Sequence, residues 1–111
     1  MSQDAPIDYR GALEAVERIL NRGGEPDVVL QEVLEALQAR GVAFGKMRFA
    51  GNGRLVDGPS VGEGEGIVLP VAFGGTEIGS LELAVGDVAF TQRVATLISP
   101  YVVRLKTGEN R

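Results

Sequence analysis

The chain has 111 residues, with 15 acidic against 11 basic side chains and a net charge of −4. That length gives room for one small domain with a single modest core, and the acidic balance leaves no electrostatic footprint for nucleic acid or an anionic membrane. Cysteine and histidine are both absent, which removes thiol nucleophiles, disulfides, zinc sites and histidine acid–base chemistry together. Apolar residues make up 44%, ordinary for a folded chain. No apolar run approaches the roughly 20 residues needed to span a bilayer. The start, "MSQDAPIDYR", has neither a basic n-region nor an apolar h-region. The expectation is a cytoplasmic protein without metal or cofactor.

Residues 1–7 read as a flexible lead. Across 8–22, Tyr9, Ala12, Leu13, Val16, Ile19 and Leu20 recur at helical spacing. Asp8 is placed to cap this helix, and Gly23-Gly24 stops it. A second helix is predicted over 26–40. Pro26 suits its first turn, Leu30, Val33, Leu34 and Leu37 form its apolar stripe, and Gly41 ends it.

The period then changes. In "VAFGKMRF", Ala43, Gly45, Met47 and Phe49 face one way and Phe44, Lys46 and Arg48 the other. "AGNG" turns the chain and "RLV" can pair back as a short strand. The next stretch, "DGPSVGEGEG", has no periodicity and reads as a mobile loop over 57–66. Two more strands follow, joined at Gly74-Gly75, where tight hairpins require positive φ angles. Pro70 cannot donate to a ladder and asks for an edge or an irregularity. The last helix is predicted from Thr91 as N-cap, with Phe90 as anchor and Pro100 bending or breaking it. Its locally basic end carries Arg104, Lys106 and Arg111, and 107–111 read as a flexible tail.

The order α-α-β-β-β-β-α implies an α+β fold, a central antiparallel sheet with the helices on one face, as a single domain over 8–106. Phosphate motifs fail, because "FGKM" lacks the Gly-rich loop and "GEGEG" is acidic. Phe44, Lys46 and Arg48 share a sense with Ile78, Ser80 and Glu82, so neighbouring strands would set Lys46 or Arg48 across from Glu82. This face is either a solvated one, with ion pairs contributing about 0.2–1 kcal/mol each, or a shallow small-molecule site floored by Phe44 and Ile78. Ser80 with Glu82 lacks a histidine, so no catalysis is expected. The first and last helices carry apolar arcs wider than the ~100° of a one-sided helix. A thick local core would absorb them, and so would a homodimer setting Leu13, Val16 and Leu20 with Val94, Ile98, Tyr101 and Leu105.

"LPVAFGGTEIGSLELAVGDVAFT" followed by "QRVATLISPYV" resembles the C-terminal half of a GAF domain. The carriers are Pro70 in an apolar strand, Ile78-Gly79 with Leu81, and Phe90-Thr91 opening the final helix. "PDVVLQEVLEALQARGVAFGKMRF" resembles the first half. The resemblance implies a GAF/profilin-like fold and a non-catalytic sensory or regulatory module in signal transduction. It also implies pairing through terminal helices, a ligand site on the opposite sheet face, and a small-molecule or signalling partner. Residues 51–66 are too short for the elements that roof the pocket in nucleotide-binding members. The Asn-Lys-Phe-Asp-Glu signature of cyclic-nucleotide members is absent, as is the cysteine of bilin-attaching and methionine-sulfoxide-reducing members. The alternative is a roadblock-like or purely scaffolding interaction domain, although 51–66 make a poor intervening helix.

Overall fold

The computed structural model describes residues 7–51 and 53–109, without the side chains of 51 and 106–109. The lead over 1–6 and the last two residues lie outside that description, as does Asn52 of the predicted turn.

Helix α1 (Tyr9–Arg22) begins where expected, because the Asp8 carboxylate accepts the Gly11 N–H at 3.0 Å and satisfies one orphan donor of the first turn. It ends at Gly23, whose φ of 78° is open to glycine. Helix α2 (Pro26–Ala39) starts on Pro26 and buries Val29, Leu30, Val33, Leu34 and Leu37. Four strands follow, β1 (Gly45–Gly51), β2 (Arg54–Val61), β3 (Ile67–Phe73) and β4 (Thr76–Leu83), and then α3 (Val88–Glu109). They form one antiparallel sheet in the order β2-β1-β4-β3. The predicted α+β arrangement is the one observed, with Pro70 on the edge strand β3 and Gly74-Gly75 turning the hairpin at φ 60° and 84°.

Three local expectations are corrected. Half of the predicted mobile loop is strand, since β2 runs to Val61 and pairs Asp57 with Arg48 and Ser60 with Lys46. Helix α3 opens three residues before Thr91. Asp87 is its cap, its carboxylate accepting the Phe90 N–H at 3.0 Å, while Thr91 is fully buried and its hydroxyl donates to the Asp87 carbonyl. The helix also continues through Pro100 to Glu109, into the stretch read as a tail. A helical proline leaves the carbonyl four residues earlier without its donor. Here that carbonyl belongs to Thr96, and the Ser99 hydroxyl donates to it at 2.9 Å.

The core lies between the inner sheet face and the helices. Met47, Phe49, Val71, Leu81 and Leu83 are buried with Val33, Leu34, Leu37, Val94 and Ile98, while Leu69 is only half-buried. Helix α1 packs outside, on α2 and α3. The broad apolar arcs are absorbed by this core, for Val16, Val94 and Ile98 are each 0% exposed. Those three residues of the expected dimer face lie inside this chain's own core. Leu13, Leu20, Tyr101 and Leu105 pack half-buried against the same cluster. The Tyr101 hydroxyl donates to the Leu20 carbonyl at 2.8 Å, and the Arg104 guanidinium sits 5.0 Å over its ring. Among the described residues no helix is long and apolar enough to cross a membrane.

Two stability outcomes follow from this packing. Leu83→Ala removes a fully buried side chain and should lower unfolding stability by about 2–5 kcal/mol in urea titration. Ile98→Glu places a charge in the core, so circular dichroism should report loss of the fold rather than a folded monomer.

Candidate functional site

Alternation sends every second strand residue away from the helices, and the sheet register lines those residues up. Lys46 on β1 pairs with Ser60 on β2 and with Glu82 on β4, which pairs with Val68 on β3. Ser60, Lys46, Glu82 and Val68 therefore form one row across all four strands. The next row is Asp57, Arg48, Ser80 and Pro70. Loop residues 62–66 cross from the end of β2 to the start of β3 at the opposite edge of the sheet, running alongside the first row, and the result is an open depression of ≈ 640 Å³. Its walls are Phe44, Lys46, Arg48, Glu82, Ser60, Val68 and the loop residues Gly62, Glu63, Gly64 and Glu65.

The charged groups are held in place. Lys46 Nζ and Arg48 Nε each lie 3.4 Å from the same oxygen, Asp57 Oδ1. Glu82, across from Lys46, accepts the Gly66 N–H at 2.9 Å and pins the end of the loop to the sheet. That anchor needs a close approach, because any Cβ on Gly66 would run into the Leu83 carbonyl. A β-bulge positions Asp57. Between the Lys46–Ser60 and Arg48–Asp57 pairs, β2 carries Gly58 and Pro59 where β1 carries Met47 alone. The extra residue swaps faces along β2 and brings Asp57, in place of Gly58, beside Arg48.

Of the residues expected at this site, Phe44, Lys46, Arg48 and Glu82 line it. Ser80 shares the second row but is buried and lies outside the depression. Ile78 is corrected. It lies in the hydrophobic core, because the register shifts between Val71 and Ala72 and leaves Ile78 as the unpaired residue opposite. Ser60, Glu63, Glu65 and Val68 were not expected here. The signal for Val68 was present, since it alternates with Ile67 and Leu69 as Glu82 does with Leu81 and Leu83.

A second depression of ≈ 630 Å³ lies on the helix side between α2 and β2, where Asp27 and Glu35 border Val28, Phe49 and Pro59. It brings carboxylates to an apolar wall but no cation. Among the described residues, cations and carboxylates converge on a depression at the polar sheet face.

No family model matches the chain, and no curated protein does. Solved structures do match. The chain is similar to fRMsr of Staphylococcus aureus in complex with substrate, with a TM-score of 0.75, 10% identity, and 91% of this chain and 99% of that one covered. The reduced form of the same protein gives 0.72 at 12%, covering 92% and 99%. The A. aeolicus nlh2 GAF domain in an inactive state gives 0.68 at 15%, covering 88% and 96%. The chain thus has a GAF-like fold. The expectation of a non-catalytic sensory module is corrected by the same finding. fRMsr is the free methionine-R-sulfoxide reductase, an enzyme on this scaffold, so the fold does not argue against catalysis.

The Glu82 anchor is testable alone. Glu82→Ala should raise amide exchange of the loop at 62–66 while leaving the centres of β1 and β4 protected, measured by hydrogen–deuterium exchange.

Proposed function

We propose that the chain is an enzyme of the GAF-like fold that takes a small zwitterionic molecule of the amino-acid class on its polar sheet face. The observation that carries this reading is the row Ser60–Lys46–Glu82–Val68, with Arg48 beside it and an acidic loop running alongside it. Lys46 and Arg48 offer a carboxylate clamp. Glu63 and Glu65 offer the opposite charge for an ammonium group, and Phe44 and Val68 offer apolar surface for a side chain. A depression of ≈ 640 Å³ falls in the usual range for small-molecule sites.

The likeness to fRMsr with its substrate supports free methionine sulfoxide as the first compound to try. Reduction by a protein thiol is not available within these 111 residues, which contain no cysteine. Acid–base chemistry is, and Glu82 is the carboxylate seated in the middle of the row.

Titration of labelled protein with free methionine sulfoxide and a panel of amino acids, followed by nuclear magnetic resonance, tests the site. Saturable shifts confined to 44–48, 60–66 and 82, abolished by Lys46→Ala with Arg48→Ala, are the expected result. Shifts confined to the α2–β2 depression would overturn it. Mass spectrometry of the same mixtures reads turnover, and unchanged masses across the panel would remove the enzymatic part.

A further inference from the structure

We infer that Asp57 is a built-in stand-in for the ligand's carboxylate, occupying the Lys46–Arg48 clamp in the free protein and yielding it when a ligand binds. This rests on the reading of the polar face as a zwitterion site. Both cations point to one oxygen, Asp57 Oδ1, at 3.4 Å. One carboxylate bridging an ammonium and a guanidinium is what the carboxylate of a bound amino acid would do. Asp57 is suited to leave. Its side chain is 73% exposed, against 24% for Lys46 and 40% for Arg48, so water receives it at little cost while the cations stay on the sheet.

The bulge is the device that puts it there. Gly58 and Pro59 form the two-against-one step, and Gly58 lies so close to the Phe49 ring that any Cβ there would strike it. Without the extra residue, Gly58 would face Arg48 and the clamp would stand unpaired. Ligand binding is then an exchange of one carboxylate for another. Asp57 keeps unpaired cations from facing solvent and sets a threshold that a carboxylate alone does not beat. A molecule must add contacts, such as an ammonium at Glu63 or Glu65, to displace it. Selectivity for zwitterions over simple carboxylates follows.

The test is calorimetric titration of wild type, Asp57→Asn and Glu63→Gln with three probes. These are free methionine sulfoxide, acetate, and the amine that corresponds to methionine sulfoxide without its carboxylate. Asp57→Asn should tighten methionine sulfoxide by roughly 2- to 30-fold, the worth of two exposed ion pairs. It should make acetate detectable and leave the amine unchanged. Glu63→Gln removes the same charge from the same site without touching the clamp, and should not tighten methionine sulfoxide. Equal tightening in both variants would reduce the effect to general charge and overturn the inference. Wild-type binding that Asp57→Asn leaves unchanged or weakens overturns it too, and leaves the site reading standing. Binding in Asp57→Asn alone supports the stand-in strongly. Binding in neither removes both ideas.

Discussion

The pairing of β1 with β4 is the constraint on which everything else depends. A period of two means that one register decision assigns every side chain on both strands to a face. With Met47 opposite Leu81 and Gly45 opposite Leu83, the apolar set turns toward α2 and α3. The same register leaves Lys46 opposite Glu82 and Arg48 opposite Ser80 on the other side. Core and site are two readings of one alignment. A slip of one residue would bury Lys46 and Arg48 under the helices, at the cost of unpaired charge in an apolar layer, while exposing Met47 and Leu81. The hydrophobic effect that forms the core therefore also assembles the cationic clamp.

The irregularities are where the structure departs from that rule, and each moves one functional side chain. The bulge in β2 brings Asp57 to the clamp. The shift in β3–β4 pairing turns Ile78 from the polar face into the core. Both occur in pairings with an edge strand, β2 or β3, where a disrupted ladder sacrifices hydrogen bonds on one side alone. The two prolines of the sheet, Pro59 and Pro70, sit on those same strands, as residues without an N–H must. The inner pair β1–β4 carries no such shift, so the clamp and Glu82 share a regular frame.

What could be read from the sequence was whatever rests on local chemistry or a clean period. Asp8 and Gly23 delimit α1 and Gly74-Gly75 makes the hairpin, all from short-range patterns, while alternation narrowed the residue across from Glu82 to Lys46 or Arg48. The second half of β2 could not be read, because Gly58, Pro59 and Gly62 erase its alternation and its strand geometry comes from pairing with β1. Asp87 and Thr91 are both good N-caps, and the choice between them rested on Phe90 being buried inside the first turn against Tyr9, ring to ring at 4.8 Å. Pro100 misled because the compensating donor, Ser99, is a side chain whose rotamer no periodicity reports. Of the site, Phe44, Lys46, Arg48 and Glu82 were read from the sequence, while Ser60, Val68 and the loop at 62–66 were not. That loop is held between the ends of β2 and β3 and tied to the sheet by the hydrogen bond from the Gly66 N–H to Glu82.

The charges at the polar face narrow what can rest there further than the fold does. Lys46 and Arg48 face Asp57, Glu82, Glu63 and Glu65, so carboxylates outnumber cations and the depression as a whole is negative. A multiply charged anion such as a nucleotide phosphate would meet two cations already paired and a loop that repels it. A simple cation would find carboxylates but no reason to sit near the clamp. The proposed zwitterion, with both charges a few bonds apart, would meet each in its place, the carboxylate at the sheet and the ammonium at the loop. The missing thiol bears on the same point. The chain shares a GAF-like fold with fRMsr over 91% of its length and contains no cysteine. Under the proposed reading, any chemistry at this face falls to carboxylates, a lysine and an arginine, on a sheet whose register the core already sets.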